Sequence, residues 1–336
     1  MSFYCAVKIG SLLTEGNIFL APVAGYTDRA FRSVCIEQGA DFTYTELVSS
    51  EALVRNKSGT DVLLRRAHNE NNYCIQLFGS DPDVMYKAAS LLAGYNPSAI
   101  DINSGCPVPK VVKTGAGSAL MKNPSNLGRI VSAVARASNE YLGGIPVTVK
   151  IRSGWDENSI NYYECARIAV SEGAVMIGLH ARTRAQGYEG KSNWTHIKDL
   201  AEKLDVPVAG SGDLFTPESA LDMLRETRCA AVMLARGAMG NPFIFSATRS
   251  LLLTGSYSLP DYAERLKTGL NQLKLMSEDI GERKACCEMR KQFCAYTRGM
   301  KGGAELRNLL VSASAISDYE KLLLPIINEG KNNDTT

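Results

Sequence analysis

Short apolar runs alternate with amphipathic stretches through the first 250 residues, and this alternation constrains the fold more than any other feature. The runs that have the length and composition of buried strands are 18–23, 42–45, 74–78, 99–102, 147–151, 176–180, 206–210 and 231–234. Helical periodicity lies between them, over 83–93, 127–138, 162–172, 194–203 and 217–226. Strands that alternate with helices predict a parallel sheet of the α/β class. Eight such units in roughly 250 residues have the size of a (β/α)8 TIM barrel.

A doubly wound open sheet is the rival architecture for such a pattern. It would place a Gly-x-Gly-x-x-Gly turn after the first strand, whereas residues 21–25 read Ala-Pro-Val-Ala-Gly. The helix predicted over 217–226 has a clear start, with Thr216 as the capping hydroxyl and Pro217 at the first helical position. The barrel is therefore the favoured interpretation.

The strand pattern stops after about residue 245, and residues 259–324 have the periodicity of several helices. Gly255 and Ser256 read as a linker. The sequence thus predicts a barrel over residues 1–250, a smaller helical domain over 251–327 and a disordered polar tail over 328–336.

Composition excludes several classes of protein. The chain of 336 residues has 45% hydrophobic residues, 21% charged residues and a net charge of +2, which is typical of a globular protein. The nine cysteines include no Cys-x-x-Cys pair, which favours reduced thiols and a cytoplasmic location over a disulfide framework. The three histidines have no metal-ligand spacing, so no metal site is expected. No apolar run has the length of a membrane span.

Polar residues end five of the predicted strands. They are Gln76, Asn103, Lys150, His180 and Asp213. The C-terminal ends of barrel strands carry the active site, so these side chains are expected to meet at one face. Any one of them alone could be a structural hydrogen bonder, and Lys150 alone could reach solvent.

Cys106 follows the strand that ends at Asn103. Gly105 would let the backbone turn tightly and Pro107 would fix the exit of the chain, which would hold the thiol at the mouth of the barrel. A thiol in that place could be a nucleophile, a metal ligand or a proton donor, and an isolated cysteine is more often a small buried apolar residue.

Two glycine-rich loops indicate a bound phosphate. Residues 210–213 follow the seventh strand and residues 235–240 follow the eighth. Barrels often bind phosphate with the loops after these two strands, and Arg236 would add positive charge. The alternative is that the glycines only turn the chain.

Basic residues cluster in the helical part. Between residues 283 and 307 there are seven basic and two acidic residues, with Phe293 and Tyr296 among them. Such a patch could contact the phosphates of a nucleic acid, or it could be an ordinary solvated helix face.

Several motifs resemble those of the flavin-dependent tRNA-dihydrouridine synthases, most closely the bacterial B type, over nearly the whole chain. The motifs occupy residues 21–28, 76–79, 101–107, 110–113, 115–121, 150–155, 180–188, 289–291, 299–300 and 305–307.

The resemblance implies an FMN-bearing barrel and a helical domain that binds tRNA. The enzyme would reduce the C5=C6 bond of a specific uridine by hydride transfer from reduced FMN to C6, with Cys106 protonating C5 and NADPH reducing FMN again. The residues that would bind FMN are Pro22, Val23, Ala24, Gln76, Lys150, His180, Ser211, Gly212, Asp213, Ala235 and Arg236. The substrate residues would be Asn103, Arg182, Arg290 and Lys291.

Four positions depart from the family pattern: Ser104, Ser211, Ala235 and Gln292 stand where Met, Asn, Gly and His are usual. A backbone contact to phosphate survives at Ala235 if its φ is negative, whereas Ser211 lacks a side-chain amide that could bind FMN. Two other functions stay open: a flavin barrel that acts on a free pyrimidine or small enone, and an RNA-binding protein that has lost catalysis. A monomer is expected.

Overall fold

Eight parallel strands close into a barrel, as the alternation predicts. The structure is a computed structural model that describes residues 3–333. The strands are β1 (Lys8–Ile9), β2 (Leu12–Leu13), β3 (Ile18–Leu20), β4 (Phe42–Tyr44), β5 (Val48–Ser49), β6 (Tyr73–Phe78), β7 (Ala99–Ser104), β8 (Val147–Arg152), β9 (Ile177–His180), β10 (Val208–Ser211) and β11 (Ala231–Leu234). β1 and β2 form an antiparallel hairpin. β4 pairs with both β3 and β6, which closes the ring, and β5 extends the pairing along β6.

Helices connect the barrel strands and continue beyond them. They are α1 (Arg29–Glu37), α2 (Ser50–Val54), α3 (Thr60–Leu64), α4 (Pro82–Ser90), α5 (Pro109–Val112), α6 (Pro124–Tyr141), α7 (Tyr162–Ser171), α8 (Trp194–Lys203), α9 (Pro217–Thr227), α10 (Ile244–Thr254), α11 (Tyr262–Ile280), α12 (Glu282–Tyr296), α13 (Gly303–Ser312) and α14 (Ile316–Asn333). The predicted start of α9 is confirmed, since the Thr216 side chain accepts a hydrogen bond from the backbone N–H of Ser219.

Alternation along β8 explains how a buried strand can carry charge into the barrel. Val147, Val149 and Ile151 pack in the apolar layer between strands and helices. Successive side chains of a strand point to opposite faces, so Thr148, Lys150 and Arg152 point into the barrel. Lys150 and Arg152, which are nearest the C-terminal end of β8, reach the mouth of the barrel.

A buried ion pair ties α1 to the strands. The Glu70 carboxylate accepts from Arg32 Nε and from Thr43 Oγ1, each at 2.7 Å, and neither Arg32 nor Glu70 is more than 3% exposed. The backbone N–H of Ala67 also donates to this carboxylate at 2.6 Å. The pair therefore has the additional hydrogen bonds that a buried charge requires.

We expect Glu70→Gln to lower the free energy of unfolding by about 3–5 kcal/mol, because the buried Arg32 guanidinium loses its counter-charge. Urea unfolding measures the change. Glu51→Gln is the matched control: it breaks an exposed pair with Arg55 and should cost less than about 1 kcal/mol. Similar small losses in both variants would contradict a structural role for the buried pair.

The last four helices have an apolar core of their own. Residues of α11, α12, α13 and α14 form one buried cluster, which only Ala30 of α1 joins from the barrel. Arg29 of α1 donates to Asp279 of α11 at 2.7 Å and to Glu278 at 2.9 Å. The helical part therefore packs on the barrel through α1.

The chain is helical further toward its end than the sequence indicates. A disordered tail was expected from residue 328, whereas α14 continues to Asn333. Ile327 is only 5% exposed in the helical core, and this contact anchors the end of the helix. Residues 334–336 lie outside the described residues. The expected boundary after residue 250 falls in the last turn of α10.

Candidate active site

A cavity of about 250 Å³ opens at the C-terminal mouth of the barrel. Every residue expected to bind FMN lines it: Pro22, Val23, Ala24, Gln76, Lys150, His180, Ser211, Gly212, Asp213, Ala235 and Arg236. Asn103 and Cys106 line it as well, together with Arg152 and Tyr188. Arg182, Arg290 and Lys291 do not. The strand-end positions chosen from the sequence thus meet in one place.

A row of hydrogen-bonded side chains crosses the floor of the cavity. Asp101 accepts from Thr148 Oγ1 at 2.5 Å and from Gln76 Nε2 at 2.7 Å. Gln76 Oε1 accepts from Asn103 Nδ2 at 2.8 Å. All four side chains are at least 93% buried. The hydrogen bonds to Asp101 therefore hold the amides of Gln76 and Asn103 in place where they border the cavity.

Asn103 also holds the loop that carries Cys106. Its Oδ1 accepts from the backbone N–H groups of Gly105 at 3.2 Å and Cys106 at 2.9 Å, which is an Asx turn. Arg152 Nε donates to the carbonyl of Gly105 at 2.8 Å. Gly105 does not have a positive φ; a Cβ there would instead lie 3.3 Å from the carbonyl carbon of Ile151. Close packing on β8, not a left-handed turn, favours glycine.

Burial raises the pKa of the Cys106 thiol. The N–H of Val108 and the charges of Arg152 and Lys150 act in the opposite direction without reversing the shift. The half-buried side chain is therefore a thiol at neutral pH. A protonated thiol can donate a proton, whereas a nucleophile or metal ligand needs the thiolate.

Two cations of β8 face the cavity. Burial lowers the pKa of Lys150 to about 8, and the charge of Arg152 lowers it further. Burial likewise lowers the pKa of Arg152 to about 10, with smaller contributions from the charges of Arg182 and Arg236. Among the described residues, no carboxylate lies within 4.0 Å of the Lys150 ammonium. An anionic ligand would relieve this repulsion. The sequence reasoning missed Arg152, although its position two residues after Lys150 puts both on one face of the strand.

His180 and Asp213 of the cavity wall form a polar group with Arg182, which lies behind them. Arg182 is 1% exposed and its Nη2 contacts both Asp213 oxygens at 2.7 and 2.8 Å. Its Nη1 lies 3.2 Å from His180 Nε2, and because arginine only donates, this nitrogen must accept. Burial lowers the pKa of His180 well below its ordinary value, so the neutral imidazole carries its proton on Nδ1. Arg182 thus positions its neighbours and does not border the cavity.

The two glycine-rich loops meet at the cavity, where Arg236 lies 3.5 Å from the Asp213 carboxylate. Ala235 has a φ of −124°, which is outside the left-handed region that favours glycine. Ser211 Oγ donates to the carbonyl of Met233 at 3.1 Å, which binds β10 to β11. Arg236 lies between aromatic rings, 4.6 Å from the centroid of Tyr188 and 5.1 Å from that of Phe215. These rings hold its charge at the mouth.

Gly237→Ala is expected to lower the free energy of unfolding by about 1–3 kcal/mol, because an added Cβ would collide with the backbone carbonyl oxygen of Leu214 in the facing loop. Gly94→Ala is the control, since a Cβ at Gly94 meets nothing within 4 Å. Thermal and urea unfolding of both variants measure the difference. An unaltered Gly237→Ala protein would contradict this packing of the loops.

The two basic residues expected to bind substrate from the helical part have different surroundings. Arg290 is half-buried and its Nη2 donates to the carbonyl of Ala313 at 3.0 Å, at the end of α13. Lys291 is exposed, pairs with Glu288 at 2.7 Å and lies 5.1 Å from the ring centroid of Tyr26. Only Lys291 is close to the barrel loop that continues from Pro22–Ala24.

Within residues 3–333 there is no group of three or more His, Cys, Asp or Glu side chains that could hold a metal ion. No helix in the same part of the chain has both the length and the apolarity to cross a membrane.

A cationic, hydrogen-bonding cavity at the C-terminal mouth of a (β/α)8 barrel lies where enzymes of this fold carry their active sites. A family model described as dihydrouridine synthase matches residues 19–329. The chain is 50% identical over 327 residues to a probable tRNA-dihydrouridine synthase of Treponema pallidum, with 96% of each chain covered. It is 34% identical to tRNA-dihydrouridine synthase B of Pasteurella multocida, with 95% of this chain and 94% of that one covered. The chain belongs to the dihydrouridine synthase family and is a flavin-dependent oxidoreductase, as the sequence predicts.

Solved structures of low sequence identity share the fold. Histamine dehydrogenase from Rhizobium sp. 4-9 matches with a TM-score of 0.55 at 13% identity, over 80% of this chain and 50% of that one. The old yellow enzyme homologue of Zymomonas mobilis matches with a TM-score of 0.51 at 12% identity, over 77% of this chain and 94% of that one. The barrel is confirmed by its strand pairing and by these neighbours.

Proposed function

We propose that this chain is a tRNA-dihydrouridine synthase that reduces one uridine of tRNA, with FMN as its cofactor and NADPH as reductant. Bound FMN, once reduced, would supply the hydride that adds to C6 of the uracil ring. The observation that carries the proposal is the protonated Cys106 thiol beside an unpaired Lys150 in the cavity. The two relatives described above, each of which covers nearly the whole chain, are both named for tRNA.

The residues of the cavity fit FMN. An unpaired ammonium and the Arg236 guanidinium supply positive charge for a phosphate and for a flavin ring that becomes anionic. Loops 211–213 and 235–237 would hold the phosphate, and Pro22–Ala24 with Gln76 would border the ring. Lys150 and the Nδ1–H of His180 would donate hydrogen bonds to it. The charge of Arg236 and the backbone of the facing loop would compensate for the missing amide at Ser211.

Cys106 would complete the reduction by donating its proton to C5. Hydride addition at C6 leaves negative charge on C5 and on the C4 oxygen, so the second step needs an acid. Burial keeps this thiol protonated and the Asn103 turn fixes its backbone. Lys150 and Arg152 would stabilise the negative charge that develops before the proton moves.

Asn103 and Arg152 would bind the uracil ring. The Nδ2 group of Asn103 uses one hydrogen on Gln76 and keeps the other for the cavity. Arg152 lines the cavity although its guanidinium also donates to three backbone carbonyls. The uracil contact expected for Arg182 would be indirect, through His180 and Asp213.

The substrate would lie across the barrel mouth and the helical part. A uridine must leave the folded RNA to reach a cavity within a barrel, so contacts to the RNA backbone are needed outside it. Lys291 lies beside the barrel loop at Tyr26, and Arg283, Lys284, Arg298 and Lys301 are exposed on the same part of the chain. These side chains would bind phosphates, whereas Arg290 would stabilise the packing of α12 against α13.

Turnover of three substrates by the purified chain with NADPH tests the proposal. We expect dihydrouridine to form in unmodified tRNA and not in free uridine. Turnover of free uridine at the same rate would favour an enzyme for small pyrimidines, and a small enone tests the same alternative. A colourless protein that FMN cannot reconstitute would favour an RNA-binding protein without catalysis.

A further inference from the structure

Asp101 is a buried carboxylate that does not reach the cavity. It is 1% exposed and is absent from the cavity wall, yet it lies directly beneath Gln76 and Asn103, which form part of that wall. One oxygen accepts from Thr148 and the other from Gln76. A buried charge of this kind is costly unless both oxygens are bonded, as they are here.

The carboxylate fixes the direction of every hydrogen bond above it. An ionised carboxylate only accepts, so Gln76 must point Nε2 toward Asp101 and Oε1 toward Asn103. Asn103 must then donate with Nδ2 and keep Oδ1 for the backbone N–H groups of Gly105 and Cys106. If Gln76 were turned over, two amide NH₂ groups would face each other and Asn103 would turn its oxygen away from Cys106.

We propose that Asp101 is a positioning residue, which orients the Gln76 and Asn103 amides and through them holds the backbone of the proton donor Cys106. The inference rests on the proposed function for the role of Cys106, but the orientation of the amides is independent of any reaction. Asp101 touches neither the cofactor site nor the uracil site, so it acts through the amides of Gln76 and Asn103.

The charge state of Asp101 agrees with this role. Burial raises its pKa to about 6, against the hydrogen bonds of Gln76 and Thr148 and the nearby charge of Lys150. The carboxylate is thus ionised at neutral pH. The groups that surround it are Thr148 of β8, Gln76 and Cys74 of β6 and Tyr44 of β4, and the charge of Lys150 also acts on it.

The hydroxyl of Thr148 determines which variants can test the proposal. In Asp101→Asn, the new amide can still accept from Gln76 if its NH₂ group faces Thr148, whose hydroxyl rotates to accept. The rotated hydroxyl can donate to the buried Tyr44 hydroxyl, which has no other partner within the described residues. In Asp101→Asn/Thr148→Val, valine cannot accept this hydrogen bond, so the direction of the Gln76 and Asn103 amides is no longer fixed.

The experiment measures alkylation of Cys106 against pH in the cofactor-free protein, resolved by peptide mass spectrometry, with exposed Cys287 as the internal reference. Single-turnover dihydrouridine formation is measured in parallel. Each single variant should stay within about threefold of the parent in both readouts, while the double variant should differ by about 10- to 100-fold. A double variant whose effect is only the product of the two single effects would overturn the proposal.

A second double variant, which exchanges the acid and the amide between positions 101 and 76, tests the proposal if the valine variant fails to fold. In Asp101→Asn/Gln76→Glu, the carboxylate at position 76 accepts from both neighbouring amides, so Asn103 keeps its orientation. We expect the Cys106 alkylation profile of the parent in this variant. A Cys106 profile that departs from that of the parent as far as is expected for Asp101→Asn/Thr148→Val would overturn the proposal. A merely structural role would change unfolding in urea without moving Cys106 relative to Cys287. Because alkylation needs no substrate, failure of the proposed function would leave this result intact.

Discussion

Replacing Cys106 by alanine is expected to lower dihydrouridine formation by about 10²- to 10⁴-fold, the range that a positioned general acid contributes. Cofactor binding and reduction by NADPH should be unchanged, because the side chain donates only in the second step. Burial keeps the thiol protonated, and Asn103 and Arg152 hold its loop from either side. Rapid-mixing measurement of flavin reduction, followed by single turnover on tRNA, separates the two steps.

Cys287→Ala is the matched control, since Cys287 is an exposed thiol on α12. It should retain both steps. If Cys106→Ala reduced tRNA at the rate of the parent, the proton would have to come from another group, and the role assigned to the thiol would be wrong.

Replacing Lys150 by methionine should weaken FMN binding by about 10- to 100-fold at pH 7, the equivalent of one hydrogen bond to a charged group. Because the pKa of Lys150 is lowered to about 8, the parent should bind FMN best below pH 8 and lose affinity as the pH rises through 8. Lys150→Met should lack this pH dependence. Fluorescence titration of cofactor-free protein measures both.

The same shift predicts a change in the stability of the cofactor-free protein. The pKa of Lys150 is lower in the folded chain, about 8 against 10.5, so folding is penalised while the side chain must be charged. The parent should therefore gain stability between about pH 8 and 10.5 from this group, and Lys150→Met should not. Lys198→Met, at an exposed lysine of α8, is the control and should follow the parent. Identical pH profiles for parent and Lys150→Met would contradict the burial of a charged lysine.

The barrel and most of the cavity wall could be predicted from sequence because both follow from local patterns. Buried parallel strands are short apolar runs, and their C-terminal ends share one face, so a polar residue at the end of a run is placed by topology alone. Gln76, Asn103 and Lys150 were found in this way. The two glycine-rich loops after β10 and β11 could be placed at the cavity because they follow strand ends and glycine allows close approach of the backbone.

Pairings between distant residues were not predictable in the same way. Arg182 follows its strand as a substrate residue would, but its guanidinium is taken up by Asp213, 31 residues further along the chain. The partners of Asp101, Gln76 of β6 and Thr148 of β8, are likewise on other strands. Arg290 belongs to a basic cluster, and only the packing of α12 on α13 shows that it bonds the backbone.

The most direct test of the central claim is the position-by-position measurement of dihydrouridine in tRNA from cells that lack this chain. The account predicts that dihydrouridine disappears from one defined uridine, returns when the parent chain is restored, and does not return with Cys106→Ala. An unchanged dihydrouridine profile in the cells that lack the chain, or full restoration by Cys106→Ala, would contradict it.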